Sequence, residues 1–178
     1  DYLGPAVALS AAGDAALGGA PPDDTTSQQD AGSARLFARA PDGSWAQAHE
    51  FVAPAGELDD LFGHAVALSG AGDVALVGAV YDDNTGGLDA GSAPLFARAP
   101  DGSWAHTAEL FAPVAADRDF FGSSVALAAS GDVALVGAIG GPQAVYQPSV
   151  VSGYWTPAGV VFPEWNLYLS LIHISEPT

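Results

Sequence analysis

Leu61-Phe62-Gly63-His64-Ala65-Val66-Ala67-Leu68-Ser69-Gly70-Ala71-Gly72-Asp73-Val74-Ala75-Leu76-Val77-Gly78-Ala79 is the stretch whose reading decides the fold. It is the middle one of three copies. Gly4-Pro5-Ala6-Val7-Ala8-Leu9 and Gly13-Asp14-Ala15-Ala16-Leu17-Gly18-Gly19-Ala20 form the first. Phe121-Gly122-Ser123-Ser124-Val125-Ala126-Leu127 and Gly131-Asp132-Val133-Ala134-Leu135-Val136-Gly137-Ala138 form the third. Gly4, Gly63 and Gly122 are 59 residues apart, and so are Asp14, Asp73 and Asp132. A constant period in this range signals a repeat architecture, in which each unit is one supersecondary element stacked on its neighbours.

Four strand-like runs fall within one period. Ala65 to Ser69 and Asp73 to Ala79 flank the turn formers Gly70 and Gly72. A polar stretch from Tyr81 to Gly91 follows, then a third run from Ser92 to Arg98. Pro100-Asp101-Gly102 makes the next turn: proline presets φ, aspartate bonds its own backbone and glycine accepts positive φ. The fourth run starts at Ser103-Trp104 and ends near Phe111. A four-stranded meander once per period predicts an all-β chain of β-propeller blades, each a four-stranded antiparallel sheet.

Phe62-Gly63 with Gly78-Ala79, and Gly19-Ala20-Pro21 in the first copy, resemble the FG-GAP repeat of integrin α-chain propellers, and more closely its bacterial form. The resemblance extends over residues 1 to about 139 and includes Asp82-Asp83, Ala90-Gly91-Ser92 and Leu95-Phe96. It implies a non-catalytic extracellular or cell-surface module for macromolecular recognition or adhesion, with a protein or glycan ligand and with further blades of a parent protein as neighbours. A lectin-like propeller and a scaffold domain of a larger secreted enzyme are the alternatives.

The units are expected at 1–59, which begins in mid-linker because Asp1 aligns with Asp60, at 60–118 and at 119–139. That amounts to an incomplete propeller of about two and a half blades. Register is lost after Ile139, so 140–168 reads as either a divergent blade or a frame-shifted join, and Gln147 to Tyr168 fits no earlier position. Residues 169–178 resemble a translated sequencing adapter and are set aside. An incomplete set of blades leaves sheet faces uncovered, so residues 1–139 alone are expected to be marginally stable and to self-associate.

Composition narrows the function. The 178 residues carry a formal charge of −17, with arginines (Arg35, Arg39, Arg98, Arg118) as the only cationic side chains besides histidine. Such a surface repels phosphates, which argues against nucleic acid and anionic membranes as partners. Hydrophobic residues make up 49% of the chain, enough for a packed core. Cysteine is absent, which removes disulfides and thiol chemistry. No apolar run of 18 residues occurs, so no membrane insertion is expected.

In a four-stranded meander the second-to-third loop and the inter-blade linker emerge on the same rim. Asp23, Asp24, Asp30, Asp59, Asp60, Asp82, Asp83, Asp89, Asp117 and Asp119 should therefore line one acidic face, suited to a cation or a basic partner or simply to solvation. Integrin propellers, by the resemblance, hold calcium on an Asp-rich first hairpin. Here that hairpin reads Ser69-Gly70-Ala71-Gly72 and offers only Asp73 alongside, so no metal is expected there and no cofactor is assigned. Asp82, Asn84 and Asp89 are the remaining candidates for a weakly held ion. Asp73 is read as a hairpin residue accepting backbone N–H bonds. Trp45, Trp104, Phe37 and Phe96 are read as inter-blade core. His49, His64, His106 and His173 share no repeat position, and no nucleophile elbow or phosphate loop occurs, so no enzyme is predicted.

Overall fold

The computed structural model describes residues 3–23, 31–148 and 155–161. Among the described residues, twelve strands form three four-stranded antiparallel sheets in simple meander order. Blade 1 is β1 (Val7–Leu9), β2 (Ala15–Ala20), β3 (Ser33–Arg39) and β4 (Trp45–Val52). Blade 2 is β5 (Phe62–Leu68), β6 (Val74–Ala79), β7 (Ala93–Arg98) and β8 (Trp104–Leu110). Blade 3 is β9 (Phe121–Leu127), β10 (Ala134–Ala138), β11 (Gln143–Pro148) and β12 (Trp155–Val161). The described residues contain no helix, hence none long and apolar enough to cross a membrane.

The repeat is reproduced down to backbone geometry. Gly13, Gly72 and Gly131 turn the first hairpins with φ of 67°, 71° and 76°. Every third-to-fourth strand pair carries an irregularity at the same place: Leu36/Phe37, Leu95/Phe96 and Val145/Tyr146. In each inter-blade linker, even non-glycine residues adopt left-handed backbone, Asp59 and Leu61 in one and Arg118 and Phe120 in the next.

Blade 3 is where sequence and structure part. The expected half-blade ending at Ile139 is a complete sheet, because the chain continues in β11 and β12. Ala75 pairs with Phe96, whereas Ala134, 59 residues later, pairs with Tyr146, which is only 50 residues after Phe96. The second-to-third loop is thus nine residues shorter in blade 3, and the register shift comes from that deletion. Tyr146 takes the place of Phe96. Trp155, paired with Pro148, takes the place of Trp104, paired with Arg98, and of Trp45, paired with Arg39. Residues 149–154 and 162–178, including the adapter-like end, lie outside the described residues.

The core lies between blades. Leu17, Ala34, Leu36 and Phe51 on the back of blade 1 meet Phe62, Val66, Leu68, Val77 and Phe96 on the front of blade 2. Phe51 anchors this layer, with ring centroids 4.9 Å from Phe96 and 5.0 Å from Trp104, the latter edge-on. The same plan joins blades 2 and 3, where Leu76, Leu95 and Leu110 meet Phe121, Val136 and Tyr146.

At the inner edge the sheets touch backbone to backbone. A Cβ at Gly19 would overlap the Gly63 carbonyl, and one at Gly78 the Gly122 carbonyl. Gly63 and Gly122 hold φ of 96° and 89°, and each lies against a serine carbonyl of the neighbouring blade, that of Ser33 at the start of β3 or of Ser92 just before β7. Phe62 and Phe121 donate their N–H groups across the gap to Ala31 and Ala90, each at 2.9 Å.

Front-face positions are covered only where a blade precedes them. Val66 is 8% exposed and its equivalent Val7 is 74%; Leu68 is 8% and Leu9 is 65%. The inter-blade reading thus holds for Trp104, half-buried in the core, and for buried Phe96. Trp45 and Phe37 occupy the same positions on a face that no other blade among the described residues covers, and Trp45 is exposed.

Two predictions follow from this packing. Trp104→Ala should lower unfolding free energy by about 3–5 kcal/mol, whereas Trp45→Ala at the equivalent position should change it by less than about 0.5 kcal/mol; urea denaturation compares the two. Gly78→Ala, which forces the hub apart, should cost about 3 kcal/mol or more, visible as loss of the folded baseline in circular dichroism.

Candidate functional site

The two loop types predicted to share a rim do meet. Leu88 donates its N–H to Asp117 Oδ1 at 3.1 Å, and Arg118 donates its N–H to the Leu88 carbonyl at 2.8 Å. Tyr81 likewise donates to the Asp60 carbonyl at 3.2 Å. The loop after β6 and the linkers at either side of blade 2 form one continuous edge.

Of the ten aspartates, those among the described residues separate by environment. Asp60 and Asp119 are 2% and 6% exposed, and each takes a backbone N–H of its own linker: Glu57 to Asp60 at 2.6 Å, Ala116 to Asp119 at 2.8 Å. They pin the linker turns. Asp59 is exposed on left-handed backbone. Asp83 accepts the Asp89 N–H at 2.7 Å, and Asp89 lies 3.8 Å from the Arg118 guanidinium. Asp24 and Asp30 lie outside the described residues.

Asp82, Asn84 and Asp89 do not converge. Asn84 spends its side-chain oxygen on the Gly86 N–H at 2.8 Å and turns its amino group to the Gly91 carbonyl at 3.0 Å and to Asp82 at 3.4 Å. Among the described residues, no group of three acidic or histidine side chains is arranged to hold a metal ion.

The first hairpin is organised by a residue that sequence reasoning passed over. Ser69 accepts the N–H groups of Asp73 and Val74 at 3.1 and 3.0 Å and donates its hydroxyl to Asp73 Oδ1 at 2.7 Å. Ser10 does the same with Asp14 and Ala15. Asp73 therefore accepts from a serine rather than from the backbone; the signal was a serine four residues before the aspartate in both copies.

The feature that sets one rim position apart comes from comparing blades 1 and 2. In blade 1, Arg35 sits between two carboxylates: Nη2 is 2.7 Å from Asp23 and Nε is 3.1 Å from Glu50, its cross-strand partner. Ser33 donates its hydroxyl to the same Asp23 oxygen at 2.6 Å. In blade 2 the equivalents are Asp82, Ser92 and Glu109, but the arginine is replaced by Pro94, which faces Glu109 across the strands. Two carboxylates remain and their guanidinium is gone.

The electrostatics follow. Burial pushes Glu109 up to about 7, with the Asp82 charge adding to the shift and Ser92 opposing it. Burial also raises Asp82, helped by Asp83 and Glu57, while Asn84 and Ser92 pull the other way. Ser92 has one hydroxyl proton to offer two carboxylates. His106 Nε2 lies 3.0 Å from Glu109 Oε2, three residues back along β8. Asp60, beneath the same edge, is raised to about 6, mainly by burial and further by Asp82 and Glu57. Glu57, Asp82, Asp83, Glu109 and exposed Phe111 line a cleft between the linker and the blade 2 loop.

Three blades of antiparallel meander, locked at a glycine hub and carrying their variable chemistry on the rim, define a propeller-type repeat protein. The chain belongs to the FG-GAP repeat family: the family's sequence model matches residues 45–96 and 104–148, together more than half of the chain. Each matched unit starts on the last strand of one blade and ends on the third strand of the next, so it carries the inter-blade contact within it. Repeats of this family are typically non-catalytic modules for protein interaction and typical of extracellular proteins. No curated protein matches the chain. Among solved structures, a protein from Lactobacillus plantarum is similar at 16% identity and a TM-score of 0.50, over 86% of this chain and 40% of that one. That likeness concerns the fold alone, and the chain spans well under half of the similar structure's length.

The raised carboxyl of Glu109 predicts a pH effect on stability. The folded state holds this proton up to about pH 7, whereas the unfolded chain releases it near 4.5. The contribution is therefore present below pH 4.5 and is lost as pH rises to 7. Urea midpoints should fall over that window, and Glu109→Gln should flatten the fall by about 2 kcal/mol.

Proposed function

We propose that this chain is a non-catalytic recognition module of an extracellular protein, and that its acidic rim takes a basic segment of a protein partner. An arginine or lysine of that partner enters between Asp82 and Glu109. The observation that carries this reading is the Arg35-to-Pro94 difference between repeats. Blade 1 satisfies its own two carboxylates with an internal guanidinium, whereas blade 2 keeps the carboxylates and has proline in its place. Two partly buried carboxyls that repel each other gain most from an external cation, which restores the charge-assisted pairing seen in the sister repeat. The flanking aromatic Phe111 is exposed beside the cleft and suits the aliphatic stem of a long basic side chain. The chain-wide charge of −17 adds long-range attraction for such a partner.

The test is fluorescence anisotropy with a short labelled arginine-containing peptide, chosen as a probe for the basic segment. Affinity should rise with pH through about 7 as Glu109 ionises, and should weaken with salt. Pro94→Arg, which supplies the blade 1 guanidinium, should weaken binding by about tenfold or more. Ala46→Arg, with the same change in net charge on exposed β4, should have little effect. Equal effects of the two arginines would refute the Asp82–Glu109 site.

A further inference from the structure

We propose that the rim opposite the acidic one carries a second binding site, a cleft between blades 1 and 2 in which Arg39 and Arg98 hold the carboxylate of an acidic sugar. The sequence sets four arginines against 21 acidic residues. Arg35 is paired with Asp23 and Glu50, and Arg118 lies by Asp89. Arg39 and Arg98, at the ends of β3 and β7, are repeat equivalents, and among the described residues neither has a carboxylate at ion-pair distance. Their backbone N–H groups donate to the Asp14 and Asp73 carbonyls at 2.8 Å, which ties the end of each third strand to the first hairpin, on the rim away from the linkers. Both arginines line one cleft of about 220 Å³, together with Asp14, Leu36, Gly72, half-buried Trp104 and small alanines that leave the space open.

The guanidiniums rest on their own turns. Arg98 Nε donates to the Gly102 carbonyl at 3.3 Å, and Arg39 Nη2 stands 3.7 Å from where a Gly43 Cβ would be. The remaining N–H groups of each form a planar fork that matches a carboxylate. Asp14, the one carboxylate in the cleft, has Oδ1 engaged by the Ser10 hydroxyl at 2.6 Å, so two positive charges face one negative. Blade 3 breaks the pattern, because Pro148 pairs with Trp155 where Arg98 pairs with Trp104. Among the described residues two arginines therefore meet only across blades 1 and 2. The chemistry of the walls selects the ligand. A chain charge of −17 repels polyanions, which favours a ligand with a single carboxylate. The N–H groups of Ala40 and Ala99, beside the arginines, are spent on Ser44 and Ser103 at 2.8 and 2.7 Å, so an extended peptide finds no edge to pair with. Recognition falls to side chains. The Trp104 indole offers a flat apolar surface to the C–H face of a sugar ring, and a volume below that of sites for drug-sized ligands admits one ring.

An NMR titration of the isotope-labelled 178-residue chain provides the test, with methyl glucuronide as the probe and methyl glucoside as its uncharged counterpart. The glucuronide should bind with a Kd of about 1 mM and the glucoside at least about tenfold more weakly. Arg39→Gln and Arg98→Gln, both at exposed positions and checked for folding by circular dichroism, should each weaken the glucuronide by about tenfold. Arg39→Lys and Arg98→Lys, which keep the charge but lose the fork, should weaken it nearly as much. Arg118→Gln, the same charge change on the other rim, should leave it unaltered. Equal binding of the two glycosides, an equal loss in Arg118→Gln, or no binding up to about 50 mM would overturn the proposal. So would acetate or a blocked glutamate binding as tightly as the glucuronide, which would mean a bare carboxylate site or one for an acidic peptide.

Discussion

Neighbouring sheets in this protein approach until their backbones touch, at Gly19 against Gly63 and at Gly78 against Gly122. This contact leaves no room for a Cβ, and the rest of the molecule depends on it. It brings the Phe62 and Phe121 amides to the carbonyls of the preceding loop and drops both rings into the inter-blade layer at zero exposure. The Phe-Gly and Gly-Ala pairs of the repeat are thus the two sides of one joint. Each half is a short motif in its own blade, and neither half has meaning without the blade next to it.

With register set at the hub, the rim is free to differ. Blade 3 shortens its second-to-third loop by nine residues without disturbing strand pairing or the position of its tryptophan. Blade 2 exchanges the arginine of blade 1 for proline on an otherwise matching strand. Neither change touches the joint. Recognition chemistry can therefore change in one blade at a time, while the scaffold stays constant.

The strands of blades 1 and 2 were legible because three aligned copies show which glycines and alternating apolar residues recur. The shared rim of the acidic loops was legible from meander topology alone. The remainder of blade 3 was not, since a deletion inside a polar loop moves every later residue off the period; a gap of nine aligns Tyr146 with Phe96, and one added residue before the fourth strand then brings Trp155 to the place of Trp104. Asp60 and Asp119 could not be told from solvated aspartates, because burial under a linker depends on how that linker folds back. The Arg35-to-Pro94 exchange is visible in aligned sequence, but its weight becomes apparent only once Glu50 and Glu109 are placed directly across the strands. Trp45 is exposed among the described residues for a related reason: burial belongs to a pair of blades, and sequence reading assigns it to a residue.

That last feature makes the tryptophans optical probes. Trp104 lies in an aromatic layer with Phe51 and stacks at 6.1 Å on His49, whose own protonation is disfavoured by burial. Trp45, its twin in sequence, faces water. With Trp155 and Trp165 replaced by phenylalanine, the two should emit at different wavelengths from one folded chain, the exposed ring to the red and open to collisional quenchers. Any molecule that settles on the first blade will shift the red component and leave the other in place. The protein thus carries its own light signal for whether the leading edge of its sheet stack is occupied.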